Sequence, residues 1–206
     1  MDLLAALDAY EPRTATEAAD VARARALVTS ADPWSRTTSL HVTGSALVVH
    51  PPSGRVLLRW HERMRRWLQV GGHVDPSDGG ALAAARREAR EETGLVDLEP
   101  WPDPRRPDIL HVAVVPVPAG RGEPAHQHAD VRYVLATRRP GEAVPESPGA
   151  PLRWMSVGDA VAAAGVDNLR ESLGRLAALL AAGAGLSGNP RPVLDPHPEV
   201  EGEGRR

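Results

Sequence analysis

The sequence predicts one α/β domain in which a mixed β-sheet carries helices on both faces. Two observations support this fold class. Short β-branched strands alternate along the chain with helical segments, and one strong helix at residues 81–94 lies between the strands. The chain has 206 residues, which is enough for one domain of ordinary size with short extensions. The predicted core runs from about Leu40 to Ala182.

The first half of the chain divides into helices and then strands. Residues 2–29 carry apolar side chains at helical spacing, and Pro12 separates two helices. HVTGSALVVH and RVLLRW are strands joined by the turn PPSG, which predicts a hairpin. A further strand, WLQVGGHV, ends in the turn-rich loop DPSDGG.

The second half begins with the alanine-rich helix ALAAARREAREET. Asp78 is predicted as its nearby N-terminal cap, and Gly94 as its C-terminal stop. Three more strands follow, and one or two helices lie within residues 161–182. These strands are LHVAVVPVPA, ADVRYVLAT and PLRWMSV.

Composition excludes several chemistries. The chain has no cysteine, which excludes disulfides, thiolate metal sites and cysteine nucleophiles. All 24 basic residues are arginine, so lysine Schiff bases and a P-loop lysine are excluded. A net charge of -3 argues against nucleic-acid binding through a basic surface. No segment approaches the ~20 apolar residues of a membrane span, and the acidic N-terminus does not resemble a signal peptide. We therefore expect a cytoplasmic protein without membrane partners.

The informative segment is GGHVDPSDGGALAAARREAREETGL, residues 71–95. Glu88, Glu91 and Glu92 stand at i, i+3 and i+4, so a helix projects them onto one face. Three such carboxylates repel one another, and Arg87 alone cannot balance them, whereas Mg²⁺ or Mn²⁺ could. The preceding Gly71-Gly72 lets the backbone approach a ligand closely. The segment predicts a pocket for metal-bound phosphates; the alternative is a solvated acidic helix face.

This segment resembles the Nudix box, GX5EX7REUXEEXGU, in which U is a bulky aliphatic residue. REAREETGL, residues 87–95, matches the second half except that Ala89 is small, and Gly72 matches the opening glycine. Asp78 stands where the family has glutamate, and eight residues rather than seven separate it from Arg87. The order of the segments LHVTGSALVV, RVLLRWHERMRRWLQVGGH and RWMSV is also similar to the family.

The resemblance implies an α/β/α sandwich with a mixed sheet. We assign residues 37–182 to this hydrolase domain and residues 1–36 to an N-terminal helical extension. Residues 183–206 are rich in Gly, Pro and Glu without a core pattern, which predicts a disordered tail. The implied activity is hydrolysis of a diphosphate linkage in a nucleoside diphosphate joined to another group X, with Mg²⁺ or Mn²⁺ as cofactor.

Site residues follow by position in the box. Glu91, Glu92, Glu88 and the Gly72 carbonyl would bind the metal. The implied catalytic residues are Glu88, which would bind metal or help deprotonate the attacking water, and Glu91. Arg87 is added to them because it would orient a glutamate through an ion pair.

A second cluster lies in HQHADVR, where alternate residues of a strand would face one way. We predict contacts to substrate or metal from this face, opposite the box helix; the alternative is a solvated strand end. Asp130 is the first candidate for an additional acid and Glu123 the second. His73 would contact phosphate or hydrogen-bond its own loop. The predicted substrate-binding residues are Asp130, His126, His128, Arg132 and His73.

Two alternative functions belong to other classes. A non-catalytic Nudix-like ligand-binding regulator would usually lose box carboxylates or carry a DNA-binding module, and this chain keeps all three helix glutamates. An enzyme like isopentenyl diphosphate isomerase would use a cysteine in proton transfer, and the chain has none. We therefore expect a Nudix-type pyrophosphohydrolase acting on a small nucleotide-type molecule. The sequence leaves the substrate and a homodimer open.

Overall fold

The computed structural model describes residues 2–30, 32–120 and 122–186, and within them eight strands form one sheet. The helices are α1 (Leu3–Ala9), α2 (Ala15–Ser30), α3 (Ala81–Thr93), α4 (Val157–Ala163) and α5 (Asp167–Leu186). The strands are β1 (Leu40–His50), β2 (Arg55–His61), β3 (Arg66–Leu68), β4 (Val70–His73), β5 (Glu99–Pro100), β6 (His111–Val117), β7 (His126–Ala136) and β8 (Leu152–Ser156).

Strand β1 is the centre of the sheet. One half of it pairs with β2 in the predicted hairpin, and the other half pairs with β4, both antiparallel. Its opposite edge runs parallel to β7 over ten residue pairs. β7 pairs antiparallel with β6 and with the two-residue β5, and β2 pairs with β3 and β8. Parallel and antiparallel pairs coexist, so the predicted mixed sheet is confirmed.

Alternating residues of the strands fill two separate cores. Val42, Ala46 and Val48 of β1 face a core shared with α1, α2 and α3. Leu47 and Val49 face the opposite core, which α4 and α5 cover. Burial of apolar residues on both faces explains why β1 is a nearly continuous apolar run. The prediction of helices on both faces is confirmed.

Helix α3 ends where the sequence predicts but begins differently. Gly94 adopts the left-handed conformation and donates its backbone N–H to the Arg90 carbonyl at 2.8 Å. At the start, Gly80 holds the cap position without a side-chain hydrogen bond. The prediction of Asp78 as the cap is therefore wrong, because its carboxylate accepts the Asp75 backbone N–H at 2.9 Å.

Close packing of α3 on the sheet depends on a glycine in β1. A Cβ atom on Gly44 would lie 2.0 Å from the backbone oxygen of Ala81. Since no side chain fits that gap, Gly44 lets the backbone of α3 approach β1 directly. This contact sets the distance between α3 and β1, the strand that pairs with β4.

The N-terminal helices cover the free edge of β6. Glu17 and Asp20 of α2 accept backbone N–H groups of Val112 and Val114, at 3.5 and 2.9 Å. Glu17 also accepts two hydrogen bonds of 2.6 Å from the buried Arg175 of α5. Burial raises the pKa of Glu17, but the hydrogen bonds from Arg175 and Tyr10 outweigh it and lower the pKa to about 2. The extension is thus fastened to both the sheet and α5.

The C-terminal end of the described chain is helical. Helix α5 continues to Leu186, so the first four residues of the predicted disordered tail lie in a helix. The remainder of that prediction, residues 187–206, lies outside the described residues. No helix in the described part of the chain has the length and apolar character needed to cross a membrane.

Candidate active site

The box glutamates of α3 meet the backbone of β4 at its two glycines. The Gly71 N–H donates to the Glu92 carboxylate at 3.0 Å. A Cβ on Gly72 would lie 2.5 Å from the Glu88 carboxyl carbon, so a larger residue would displace that side chain. Gly71 has φ of 143°, a conformation that favours glycine. The Gly-Gly pair therefore lets carboxylates and strand backbone share one small space.

Arg87 organises the acidic side of this space. Its guanidinium donates to Glu88 at 2.9 Å, to Glu91 at 3.1 Å and to the His73 carbonyl at 2.9 Å. It also pairs with Asp78 at 3.0 Å, and this contact raises the pKa of Arg87 while lowering that of Asp78. One planar cation thus ties two box glutamates to the end of β4.

Asp78 serves this network although it differs from the family pattern. Its carboxylate is largely buried, with its side chain 7 % exposed, and receives three guanidinium contacts from Arg87. Residues 76–80 form turns and bends between β4 and α3. The shorter acid therefore still reaches the arginine.

Burial disfavours the charged form of the Glu88 and Glu92 carboxyl groups. Burial raises the pKa of Glu92 to about 7, although Arg59 and the Gly71 N–H act in the opposite direction. Burial also raises the pKa of Glu88, against the effect of Arg87. The Glu91 side chain is 55 % exposed. The pKa values of these two half-buried carboxylates are raised because burial outweighs their cationic partners, which is typical of a cation site.

A carboxylate outside the box also lies near Glu92. Arg59 of β2 contacts Glu92 at 3.3 Å and Glu146 at 3.1 Å, and so bridges them. Glu146 belongs to the loop before β8, and its negative charge contributes to the raised pKa of Glu92. Sequence analysis did not identify Glu146, because 87 residues separate it from Arg59 and no local motif links them.

Asp130 does not face the box glutamates, so the prediction that it lies opposite the box helix is wrong; its contact with substrate stays a prediction, because Asp130 and Arg132 line the cavity described below. Its carboxylate accepts hydrogen bonds from Thr43, Ser45 and Gln69 and pairs with Arg132 at 2.8 Å. Thr43 and Ser45 lie on the face of β1 opposite α3, so Asp130 points away from the box helix. Arg132 is also buried, and it donates hydrogen bonds to Asn168 and Ser172 of α5. The pair is part of the packing between the sheet and α5.

The predicted histidines do come together, with one addition. His73, His126 and His128 lie on the same face as Asp130, and the buried His41 of β1 joins them. The neighbouring ring centroids are 4.9–5.2 Å apart. His41 was missed because it becomes a neighbour only through the parallel pairing of β1 with β7. The exposed Glu123 lines the cavity beside this cluster.

A cavity of about 340 Å³ opens on the histidine side of the Gly-Gly pair. Gly71 and Gly72 line it, while Glu88 and Glu92 contact the same two glycines. Three residues around the β2–β3 turn, His61, Arg63 and Arg66, also face the cavity. The two glycines therefore lie at the border between an open cavity and the carboxylates.

Comparison with protein families identifies the fold. The family model described as the NUDIX domain matches residues 40–176, about two thirds of the chain. The chain belongs to the Nudix family. The match begins at β1 and ends within α5, so α1 and α2 lie outside it.

Solved Nudix structures share this arrangement. The chain is similar to the C. elegans Ap4A hydrolase in a binary complex, with 18 % identity and a TM-score of 0.53; the match covers 68 % of this chain and 97 % of that one. It is also similar to the M. smegmatis Nudix hydrolase RenU, with 22 % identity, a TM-score of 0.50, and coverage of 73 % and 90 %. At these identities the likeness shows the Nudix fold alone. A comparison with curated proteins gives no match.

The donors at this Nudix site fit a hard divalent cation. Mg²⁺ and Mn²⁺ prefer carboxylate and carbonyl oxygens, which Glu88, Glu92, Glu91 and the β4 backbone offer. Two of those carboxylates have raised pKa values, and a bound cation would relieve that unfavourable charge. Arg87 leaves the site incompletely neutralised because Asp78 shares its charge.

Proposed function

We propose that this Nudix protein hydrolyses a diphosphate linkage in a nucleoside diphosphate joined to another group, with Mg²⁺ or Mn²⁺. One observation carries the proposal. Two half-buried carboxylates, Glu88 and Glu92, lie against the Gly71-Gly72 backbone with raised pKa values, beside an open cavity. Carboxylates held in fixed positions bind a divalent cation, together with the phosphate that it carries, more strongly than bulk water solvates them.

The box residues divide the work between holding a cation and orienting its ligands. Glu88, Glu91, Glu92 and the Gly72 carbonyl would hold the metal. When bound, the ion neutralises phosphate oxygens and lowers the pKa of a coordinated water. Glu88 adds a carboxylate of raised proton affinity, which suits transient acceptance of a proton from the attacking water.

Arg87 acts in this proposal as a positioning residue. It contacts Glu88 and Glu91 together with the His73 carbonyl, so it fixes both carboxylates relative to the end of β4. Phosphoryl transfer depends mainly on positioning and charge stabilisation, and small displacements of these groups would lower the rate.

We propose Glu146 as the acid from outside the box, in place of Asp130. Arg59 bridges Glu146 and Glu92, which brings a third element of the fold to the carboxylate site. Glu146 is 53 % exposed and therefore accessible to water and substrate. Asp130 is buried and satisfied by four partners.

The remainder of the substrate would occupy the cavity beyond the Gly-Gly pair. A volume of about 340 Å³ is within the range of small-ligand pockets. Arg63 and Arg66 contribute positive charge at its wall, which favours an anionic ligand. A diphosphate lying across Gly71-Gly72 would place its reacting bond near the carboxylates and its organic group in the cavity.

The test is an assay of the full chain for released phosphate or nucleoside monophosphate. The panel contains nucleoside triphosphates, oxidised nucleotides, nucleotide sugars, dinucleoside polyphosphates and NAD-like molecules. We expect turnover of at least one class with Mg²⁺ or Mn²⁺, loss of turnover in excess chelator, and recovery when the metal is restored.

A matched pair of variants assigns any turnover to this site. Glu92→Gln should lower kcat by roughly 10²–10⁴, as for loss of a catalytic electrostatic group. Glu142→Gln, at an exposed position, should keep the wild-type rate. Full turnover in chelator, or an unchanged rate in Glu92→Gln, contradicts the proposal. Tight nucleotide binding without turnover across the panel would favour a ligand-binding regulator instead.

A further inference from the structure

Four histidines from three strands converge on one face of the sheet. In the strand register His41 pairs with His128, and Thr43 pairs with His73, so these side chains share a face. His126 lies two residues before His128 on the same strand. One ring nitrogen of each histidine lies within 4.8 Å of the others. Among the described residues, this is a cluster of imidazoles without a carboxylate member.

Hydrogen bonds to backbone carbonyls orient two of the rings. His126 Nδ1 lies 2.9 Å from the Pro124 carbonyl, and His41 Nδ1 lies 3.4 Å from the Thr38 carbonyl. When Nδ1 donates its proton to a carbonyl, Nε2 keeps a lone pair and can bind a metal. Such carbonyl contacts are the usual outer support of a metal-binding histidine.

The buried Nε2 of His41 has no hydrogen-bond partner in the described structure. The residue is only 1 % exposed, so solvent does not replace that partner. An unpaired buried nitrogen is energetically unfavourable. Its position within the imidazole cluster points to a ligand that accepts its lone pair.

The spacing of the nitrogens suits a tetrahedral ion. A Zn–N distance of 2.0–2.1 Å separates tetrahedral nitrogens by about 3.3 Å. His126 Nε2 and His128 Nε2 are hydrogen-bonded to each other at 3.1 Å, so their separation is already close to this value. The other two ring nitrogens lie within reach of small side-chain rotations, since no pair in the set exceeds 4.8 Å.

Burial favours the neutral form of these imidazoles. It lowers the pKa of His128 to about 3 and also lowers the pKa of His41. Neutral imidazole is the form that binds metal. Arg36, whose positive charge reaches His41 and His73, is paired with Asp75 at 3.4 Å. Glu123 offers a negative charge at the cavity wall nearby.

We propose that His41, His73, His126 and His128 form a second metal site, for a borderline divalent transition ion such as Zn²⁺. Imidazole suits this class of ion, whereas the carboxylates of α3 suit Mg²⁺ or Mn²⁺. The site is separate from the diphosphate-hydrolysing centre and does not depend on that proposed function. It connects β1, β4 and β7 at the floor of the cavity.

The test is titration of the metal-free full chain with Co²⁺ in excess Mg²⁺, followed by displacement with Zn²⁺. Mg²⁺ occupies the carboxylate site, and the visible absorption of Co²⁺ distinguishes tetrahedral from octahedral coordination. We expect one Co²⁺ per chain with strong tetrahedral absorption, which Zn²⁺ abolishes. Bound Zn²⁺ should also raise the melting temperature.

Variants locate the ion. His126→Ala and His128→Gln should each weaken Co²⁺ binding by more than about 100-fold, beyond the effect usual for an outer-shell partner. His50→Ala is the matched control, because the His50 ring hydrogen-bonds to Ser53 near a turn at the far end of β1, and this variant should bind as wild type. Circular dichroism without metal establishes folding; if His128→Gln fails to fold, the half-buried His126 decides.

Several outcomes would overturn the proposal. Wild-type Co²⁺ affinity in His126→Ala is one. Loss of the tetrahedral signal in Glu92→Gln would place the ion at the carboxylates of α3. Loss in Glu171→Gln would place it at the other candidate group, formed by Glu17, His111 and Glu171. Each result is independent of whether the protein hydrolyses any nucleotide.

Discussion

Replacement of Glu92 by glutamine should make the metal-free protein more stable at high pH while lowering its activity. Burial raises the pKa of this carboxyl from 4.5 to about 7. At about 1.4 kcal/mol per pH unit, this difference lowers the free energy of unfolding by up to about 3 kcal/mol once the carboxyl is ionised in both states. Glutamine removes that cost and can still accept the Gly71 N–H.

The sign of the effect depends on pH. Below about pH 4.5 the carboxyl is protonated in the folded and unfolded chains, so charge contributes no difference. Between pH 4.5 and about 7 the unfolded chain ionises first, and the folded wild type progressively loses stability. The stability advantage of Glu92→Gln should therefore grow from near zero at about pH 4 to its maximum at about pH 8.

Urea unfolding in excess chelator measures this difference at the two pH values. When the variant is compared with wild type at the same pH, the contributions of the other titrating groups, including the histidines, to the free energy of unfolding cancel. Glu91→Gln is the neighbouring control: its carboxylate is 55 % exposed, so we expect a change within about 0.5 kcal/mol. A Glu92→Gln protein that is less stable than wild type at pH 8, or equally stabilised at both pH values, would refute the reasoning.

Four further substitutions separate catalysis from packing. Gly72→Ala should displace the Glu88 carboxylate and lower kcat with little loss of stability. In Gly44→Ala the new methyl group would meet the backbone of α3, which should destabilise the fold by at least about 2 kcal/mol. Unfolding curves and turnover rates distinguish the two variants. Glu146→Gln should lower kcat roughly 10- to 100-fold at unchanged melting temperature, and an unchanged rate would remove it from the site. Asp130→Asn leaves a buried arginine unpaired and should lower the free energy of unfolding by about 3 kcal/mol, so loss of activity at wild-type stability would contradict its structural role.

Local patterns were enough to predict most of the fold. The strands around β1 and the helix α3 each have a period or a stop signal within their own residues, and Gly94 ends α3 as expected. The two-residue β5 was not predicted, because its pairing depends on β7 rather than on its own sequence. The contact of Glu88 and Glu92 with the two glycines of β4 agrees with the box spacing.

Pairing between distant strands determines which side of the sheet the polar residues of β7 face, and the sequence alone did not predict this. Alternation predicted that His126, His128, Asp130 and Arg132 share a face, but not which side of the sheet that face covers. The answer lies in the parallel register of β1 with β7, which places Asp130 beside Thr43. Such pairings join residues 87 positions apart and leave no signal within either segment.

The acidic side chains of α2 that bind the edge of β6 affect whether two copies of this protein can associate through that strand. An uncovered strand edge offers unpaired N–H and C=O groups to a second chain. Glu17 and Asp20 occupy N–H groups of that edge with negative charge, which discourages another strand from adding there. A chain shortened to the family-matched region, starting at residue 40, would expose this edge and remove Glu17, one of the two carboxylate partners of Arg175. The segment outside the shared family fold therefore works against self-association by strand addition, and shortened forms should aggregate at concentrations that the full chain tolerates.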